Sequence, residues 1–215
     1  MKKIKAVIFD LDGTLANTLP LCIEAFKRSV EPLAQRAITD EEIIATFGPS
    51  EEGTIMALVP QHYDKGVADY LTFYESMHHI CLKPFDGIPE LLNALKNKDI
   101  RLAMVTGKGK YSTNISLKQF DLGGFFEIIE TGSPSGPRKA EGIQLILKHW
   151  QDLQHNEIYY VGDVPGDIIA SRKAGIPVVA AAWADTAELQ KLEQHNPDKI
   201  FFTIEDFSKW LLANT

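Results

Sequence analysis

Four apolar residues, Ala6-Val7-Ile8-Phe9, run straight into Asp10-Leu11-Asp12-Gly13-Thr14-Leu15, and this stretch limits the fold more than any other. A short continuous apolar run closed by a Gly-containing turn reads as a strand buried on both faces, the kind found in a parallel sheet. In a doubly wound sheet, the carboxyl edge of such a strand is where ligands bind. Asp10 and Asp12 stand two apart, so in an extended strand both side chains leave on one face. Gly13 then lets the backbone turn without a Cβ penalty. Two anions this close repel unless a cation sits between them. The stretch therefore points to a Mg2+ site at a strand end, set against the simpler reading that Asp and Gly are ordinary turn residues.

The chain around it has 215 residues, which fits one large domain or a core with a smaller insertion. Hydrophobic residues make up 45% and charged residues 24%, the balance of a soluble globular protein. A net charge of -7 gives no electrostatic case for nucleic acid or an anionic membrane surface. The expected partner is a small molecule, met by a monomer or homodimer. The basic start Met1-Lys2-Lys3 is followed by an apolar stretch that Lys5 interrupts and Asp10 ends, too short for a signal-peptide core. No run approaches transmembrane length. Cys22 and Cys81 form neither a metal-type pair nor a disulfide framework, and the cytoplasm is the expected location.

After Leu15 the spacing becomes helical. Cys22, Ala25, Phe26, Ser29 and Leu33 share one face, and Thr39-Asp40-Glu41-Glu42 has the form of a capping box ahead of Ile43, Ile44 and Phe47. Val67, Tyr70, Leu71, Tyr74 and Met77 draw a further apolar stripe. No strand pattern interrupts residues 16–83, which read as an all-helical insertion bounded by Lys83-Pro84. From there helices and strands alternate, as in a parallel sheet built of βαβ units. Strands are expected over 100–105, 126–131, 158–161 and 176–182, with Gly175 stopping the helix before the last. Helices around Leu189 and Leu192, and around Phe207, Trp210 and Leu211, close the chain.

In a parallel sheet the polar strand ends fall on one edge, which would gather Asp10, Asp12, Thr106, Asp163 and Asp167 in one crevice. Four carboxylates in a cleft are unfavourable without compensation, and a hard divalent cation with oxygen ligands supplies it. Gly162-Asp163-Val164-Pro165-Gly166-Asp167 is a strand-to-helix junction whose bland reading is a helix cap. Thr106 offers a hydroxyl and Gly107 a backbone that a phosphate oxygen can approach. Lys139, with Arg138 beside it, can place positive charge on a phosphate or a carboxylate, although most surface cations are only solvated. The glycines of Gly48-Pro49-Ser50-Glu51-Glu52-Gly53-Thr54 have Walker-loop spacing, but the segment lacks the lysine and follows no strand, so it is not a nucleotide P-loop. His78-His79 reads as ordinary histidines, and Trp150, Trp183 and Trp210 as packing residues.

In this order, the Asp10–Leu15 signature, Thr106 after an apolar strand, a basic residue near 139 and the Gly162-Asp163 to Asp167 motif resemble the haloacid dehalogenase superfamily of phosphohydrolases over essentially the whole chain. The resemblance implies a Rossmann-like three-layer α/β/α core with a mainly parallel sheet, over 1–15 and 84–215. The helical insertion at 16–83 then corresponds to a cap, as in phosphoglycolate phosphatases and β-phosphoglucomutases. It implies Asp10 as the nucleophile forming an aspartyl-phosphate, Asp12 as general acid and base, and Thr106, Gly107 and Lys139 as phosphoryl binders. Mg2+ would be held by the Asp10 side chain, the Asp12 carbonyl and Asp163, with Asp167 close by. Gly48, Pro49, Ser50 and Glu51 sit where such caps meet the substrate. The family commonly has Lys-Pro where this chain has Lys139-Ala140, which leaves Arg138 as a competitor. A carboxylate at Asp12 favours phosphate esters over halides. The implied activity is hydrolysis of a small-metabolite phosphate monoester, with phosphoglycolate favoured among substrates that include pyrophosphate. A sugar phosphomutase and a non-catalytic phosphate-binding module are the alternatives.

Overall fold

A computed structural model describes residues 3–215; Met1 and Lys2 of the basic amino terminus lie outside the described residues. Six strands, β1 (Ala6–Phe9), β2 (Arg101–Val105), β3 (Ile128–Glu130), β4 (Ile158–Gly162), β5 (Val178–Ala181) and β6 (Lys199–Phe201), form one sheet in the order β3-β2-β1-β4-β5-β6. Every pairing is parallel, so the expected α/β sheet is parallel throughout rather than mainly so. β1 lies at the centre, where the strand order turns from one direction to the other. That is the topological switch point at which such sheets open a crevice.

The four residues of β1 are fully buried. Successive side chains of a strand leave on opposite faces, and here Val7 and Phe9 enter one apolar cluster while Ala6 and Ile8 enter the other. Helices α1 (Leu19–Ala34), α2 (Asp40–Ile44), α3 (Glu51–Leu58) and α4 (Tyr63–Ser76) come between β1 and β2, and no strand interrupts them. The first face of the sheet is covered by α5 (Ile88–Lys96), α6 (Lys110–Phe120) and, at the end of the chain, α10 (Ile204–Ala213). The second face carries α7 (Lys139–His149), α8 (Pro165–Ala174) and Leu192 of α9 (Leu189–Gln194). Each apolar stripe buried this way contributes about 1.5–3 kcal/mol per large side chain.

The helical insertion is a unit closed at its base: the chain leaves at Leu15 and returns at Phe85, whose N–H donates to the Leu15 carbonyl at 2.9 Å. Within it α1 packs on α4 through Phe26 and Tyr70, ring centroids 4.3 Å apart, and Tyr70 stacks on Tyr74. The expected capping box is present at α2, with Glu42 N–H donating to Thr39 Oγ1 at 3.2 Å and Thr39 N–H to Glu42 Oε2 at 3.0 Å. Gly175, at φ +78°, ends α8 in the left-handed conformation that a helix stop uses. His78 is a core histidine, its Nδ1 2.8 Å from the Cys81 carbonyl and its Nε2 3.1 Å from Ser116 Oγ.

Three expectations are corrected. Helix α2 stops at Ile44, so Phe47 lies beyond it, and α4 ends at Ser76, one residue before Met77. β2, β3 and β5 are shorter than expected, because only residues in register with a neighbour join the ladder, while β4 runs one residue further than expected, to Gly162. β6 was not expected at all: Lys-Ile-Phe after Asn-Pro-Asp has no alternation to mark it, and only the open edge of β5 makes it a strand.

Trp150 has no exposed surface, donates its indole N–H to Glu127 Oε2 at 3.2 Å and lies under the Arg101 guanidinium. Trp150→Ala is predicted to cost about 3–5 kcal/mol of unfolding free energy in denaturant titration. A loss under about 1 kcal/mol would show that this face of the sheet does not depend on it.

Candidate active site

The site forms where β1, β2 and β4 end. Phe9 is in register with Met104 on one side and Val161 on the other, so Asp10, Thr106 and Asp163 follow at the same edge of three adjacent strands. The backbone then turns sharply. The Leu11 carbonyl accepts from the N–H groups of Thr14, Leu15 and Ala16, and Gly13 takes φ +70°. A side chain at Gly13 would collide with the Asp163 carboxylate, so glycine serves both the turn and the close approach of the two motifs. Thr14 Oγ1 donates to Asp163 Oδ1 at 3.2 Å, and Trp183 Nε1 donates to the Thr14 carbonyl at 3.1 Å.

Carboxylate oxygens of Asp10, Asp163 and Asp167 lie within 4.8 Å of one another. Asp10 Oδ1 accepts from the Leu11 N–H at 2.7 Å, and Asp10 Oδ2 accepts from Lys139 Nζ. Lys139 Nζ also donates to Asp167 Oδ1 at 2.6 Å, so one ammonium bridges two of the three acids. Asp167 is fully buried and further held by the Tyr160 hydroxyl at 3.0 Å and the Val164 N–H at 3.1 Å. Tyr160 in turn lies in β4, and its hydroxyl also reaches the Val105 carbonyl at 2.9 Å. Burial, then the charges of Asp167 and Asp12, push the Asp10 carboxyl up to about 6 against the opposing pull of Lys139. Burial and the neighbouring acids raise Asp163 in the same direction. Burial penalises the Lys139 ammonium, but Asp10 and Asp167 outweigh it and keep its pKa above the ordinary lysine value. Such a set is oxygen-rich, anionic and short of one cation, and its donors suit a hard divalent ion.

Asp12 is the correction here. β1 ends at Phe9, so Asp10 and Asp12 do not share a strand face, and the expected four-carboxylate crevice is a cluster of three. The turn carries the Asp12 carboxylate toward the helical insertion, where Thr18 Oγ1 donates to it and Lys108 Nζ lies 3.3 Å away. Of the two neighbouring bases, Lys139 reaches the acids. Arg138 spends its donors on the Thr131 carbonyl at 2.8 Å, on Glu130 at 3.2 Å and on Glu141 at 3.4 Å.

Thr106 is buried, its N–H bonded to the Glu130 carbonyl at the end of β3, and Gly107 lies alongside the Lys139 side chain. The turn Gly48-Pro49-Ser50 abuts the loop around residues 132–137, with Ser50 N–H donating to the Ser133 carbonyl at 2.9 Å. Glu51 is buried and locks α3 onto the start of α6, accepting from the Gly109 N–H and from Ser112 Oγ, both at 2.6 Å. Four participants escaped the sequence: Lys108, Tyr160, Trp183 and Ser112. Of these only Lys108 had a signal, its place directly after Thr106-Gly107.

The fold and the acid-lined switch point define a doubly wound α/β hydrolase with a helical cap. The family model described as haloacid dehalogenase-like hydrolase matches residues 7–181, and the chain belongs to that family. It is similar to pyrophosphatase PpaX of Anoxybacillus flavithermus, with 30% identity over 97% of this chain and 95% of that protein. Likeness to pyrophosphatase PpaX of Listeria monocytogenes is 32% over 97% and 95%. Among solved structures, a predicted phosphoglycolate phosphatase from Haemophilus somnus superposes with a TM-score of 0.80 at 22% identity, covering 98% of this chain and 99% of that one. Among the described residues no helix is long and apolar enough to cross a membrane.

Gly13→Ala is predicted to destabilise the protein by at least about 1 kcal/mol, from the left-handed backbone alone, and more from displacing Asp163. Denaturant unfolding of the metal-free protein measures it, and an alanine variant as stable as the parent contradicts the packing described here.

Proposed function

We propose that this chain is a Mg2+-dependent phosphatase that moves the phosphoryl group of a small phosphorylated compound first to Asp10 and then to water. The observation that carries the reading is the convergence of Asp10, Asp163 and Asp167, with Lys139 bridging two of them, at the end of the central strand. Pyrophosphate is the first substrate to test, ahead of phosphoglycolate, because the relatives alike over their whole length are named pyrophosphatases. The activity would be exercised in the cytoplasm, in keeping with two buried free thiols.

Asp10 is the nucleophile: one of its oxygens bonds phosphorus as the bond to the leaving oxygen breaks. The Leu11 N–H fixes the orientation of its carboxylate. Thr106, Gly107 and Lys139 bind the phosphoryl oxygens, and Lys139 offsets the charge that collects there. Asp12 gives its proton to the leaving oxygen and takes one from the water that cleaves the aspartyl-phosphate. Mg2+ would be held by the Asp10 side chain, the Asp12 main-chain carbonyl and Asp163, and when bound it neutralises phosphoryl charge. Asp167, engaged by Lys139, Tyr160 and the Val164 N–H, keeps the lysine in place rather than holding the ion directly. Gly48, Pro49, Ser50 and Glu51 shape the cap side of the pocket. Catalysis of this kind is positioning and charge neutralisation, and this set supplies both.

Two outcomes are expected. Asp10→Asn lowers Mg2+-dependent phosphate release by at least about 10³-fold while its circular dichroism stays that of the parent; undiminished turnover would remove Asp10 as nucleophile. The second concerns pH. A carboxyl whose pKa is higher in the folded protein than in the unfolded chain lets the metal-free fold lose stability as pH rises, for Asp10 between about 4 and about 6. Mg2+ binds the ionised form, so the rise in melting temperature on adding Mg2+ is large at pH 7.5 and shrinks below about pH 6. An equal rise on both sides of that window contradicts the assignment of Asp10 to the metal.

A further inference from the structure

Lys108 is the cation that the phosphoryl site does not use. Its side chain is 3% exposed, and its ammonium is covered by Cys22 of α1, whose Sγ is 3.1 Å away, and by the face of Tyr74 of α4, 4.5 Å from the ring centroid. Among the described residues Asp12 is the one carboxylate within ion-pair reach, at 3.3 Å. Lys139, by contrast, is hydrogen-bonded to two carboxylates. A thiol and an aromatic face are weak partners for a buried ammonium that has three hydrogens to place. The charge of Lys108 is therefore under-satisfied where it sits. Burial disfavours the ammonium, yet Asp12 and its other neighbours keep it protonated.

Its position relative to the reaction follows from Asp12. An acid that protonates the leaving oxygen must face the leaving group, so a cation against that acid faces the leaving group too. A single carboxylate at 3.3 Å, with a thiol and an aromatic face on the other sides, leaves the buried Lys108 ammonium incompletely paired, a costly state. A leaving group that brings a negative charge of its own removes that cost, and a neutral one does not.

We infer that Lys108 selects substrates whose leaving group is itself an anion, such as the phosphate released from pyrophosphate or a carboxylate-bearing alcohol, over those with an uncharged leaving group. This deepens the phosphatase reading and rests on it. In the reaction the bond from phosphorus to the bridging oxygen breaks, the proton of Asp12 goes to that oxygen, and Lys108 pairs with the remaining charge of the departing group. Lys108 thus acts on specificity, whereas Lys139 acts on the group being transferred.

The test compares inorganic pyrophosphate with phenyl phosphate, for the full-length protein with Mg2+ and for Lys108→Met, which keeps the aliphatic stem. The expected result is a fall in kcat/KM for pyrophosphate of about 100-fold or more, with a fall for phenyl phosphate at least tenfold smaller, so that the ratio of the two changes by at least tenfold. Equal losses on both substrates overturn the inference, since they would mean that Lys108 only positions Asp12. Should Lys108→Met fail to fold, the parent enzyme decides through phosphoglycolate and 2-hydroxyethyl phosphate, which differ in that one charge. Preference for phosphoglycolate by tenfold or more supports the role of Lys108, and equal rates overturn it. A parent enzyme that releases no phosphate from any of these compounds with Mg2+ sinks the phosphatase reading itself, a result distinct from an unchanged ratio.

Discussion

The structure turns on the contact of one ammonium with two buried acids. Lys139 lies between Asp10 and Asp167, and without it three carboxylates would sit within a few ångströms of one another in a place where water cannot shield them. The lysine meets only part of that demand, as the raised pKa values of Asp10 and Asp163 show. What is left over is negative charge, which a further cation would offset. Acids perturbed together in a strand-end crevice are the kind of group that the proposed mechanism would use.

The fold makes this arrangement possible by geometry rather than by loops alone. β1 is flanked by β2 and β4, so the ends of three strands and the start of α8 meet at one point, while α7 delivers Lys139 from the next layer. The buried apolar strands hold those ends in register, and the Gly13 turn separates the duties of two neighbouring aspartates. Asp10 stays with the acids of the core, and Asp12 turns to the cap, where Lys108 and Thr18 meet it. The Glu51 carboxylate, seated at the start of α6, joins the two parts directly after Thr106-Gly107-Lys108. Under the proposed mechanism, the transferred phosphoryl group and the departing group would face separate cations.

Much of this was legible in the residues. The run Ala6–Phe9 marked the central strand because four apolar residues closed at once by a Gly-containing turn fit a strand buried on both faces, and the helical spacing from Cys22 to Tyr74 marked the insertion. The acidic motif at Asp163 and Asp167 and the base at Lys139 were visible as residue types. The convergence of the strand-end residues was legible from the parallel-sheet pattern, which puts polar strand ends on one edge, whereas Lys139, at the start of a helix, was tied to them only by the resemblance. What stayed hidden was set by tertiary contact. β6 exists because β5 has an open edge. Tyr160 looks like any aromatic strand residue until its hydroxyl meets Asp167, and Trp183, expected only to pack, holds the Thr14 carbonyl. The divergence of Asp12 from Asp10 was hidden by the end of β1 at Phe9, three residues short of Asp12.

The account rests on Asp10 carrying the phosphoryl group, and trapping that bond tests it most directly. Borohydride added during turnover of pyrophosphate with Mg2+ reduces an acyl phosphate to an alcohol, and peptide mass mapping then reads which side chain was reduced. The expected product is homoserine at position 10, formed only when both substrate and Mg2+ are present. Turnover that proceeds with Asp10 unmodified, or reduction at a different residue, would contradict it.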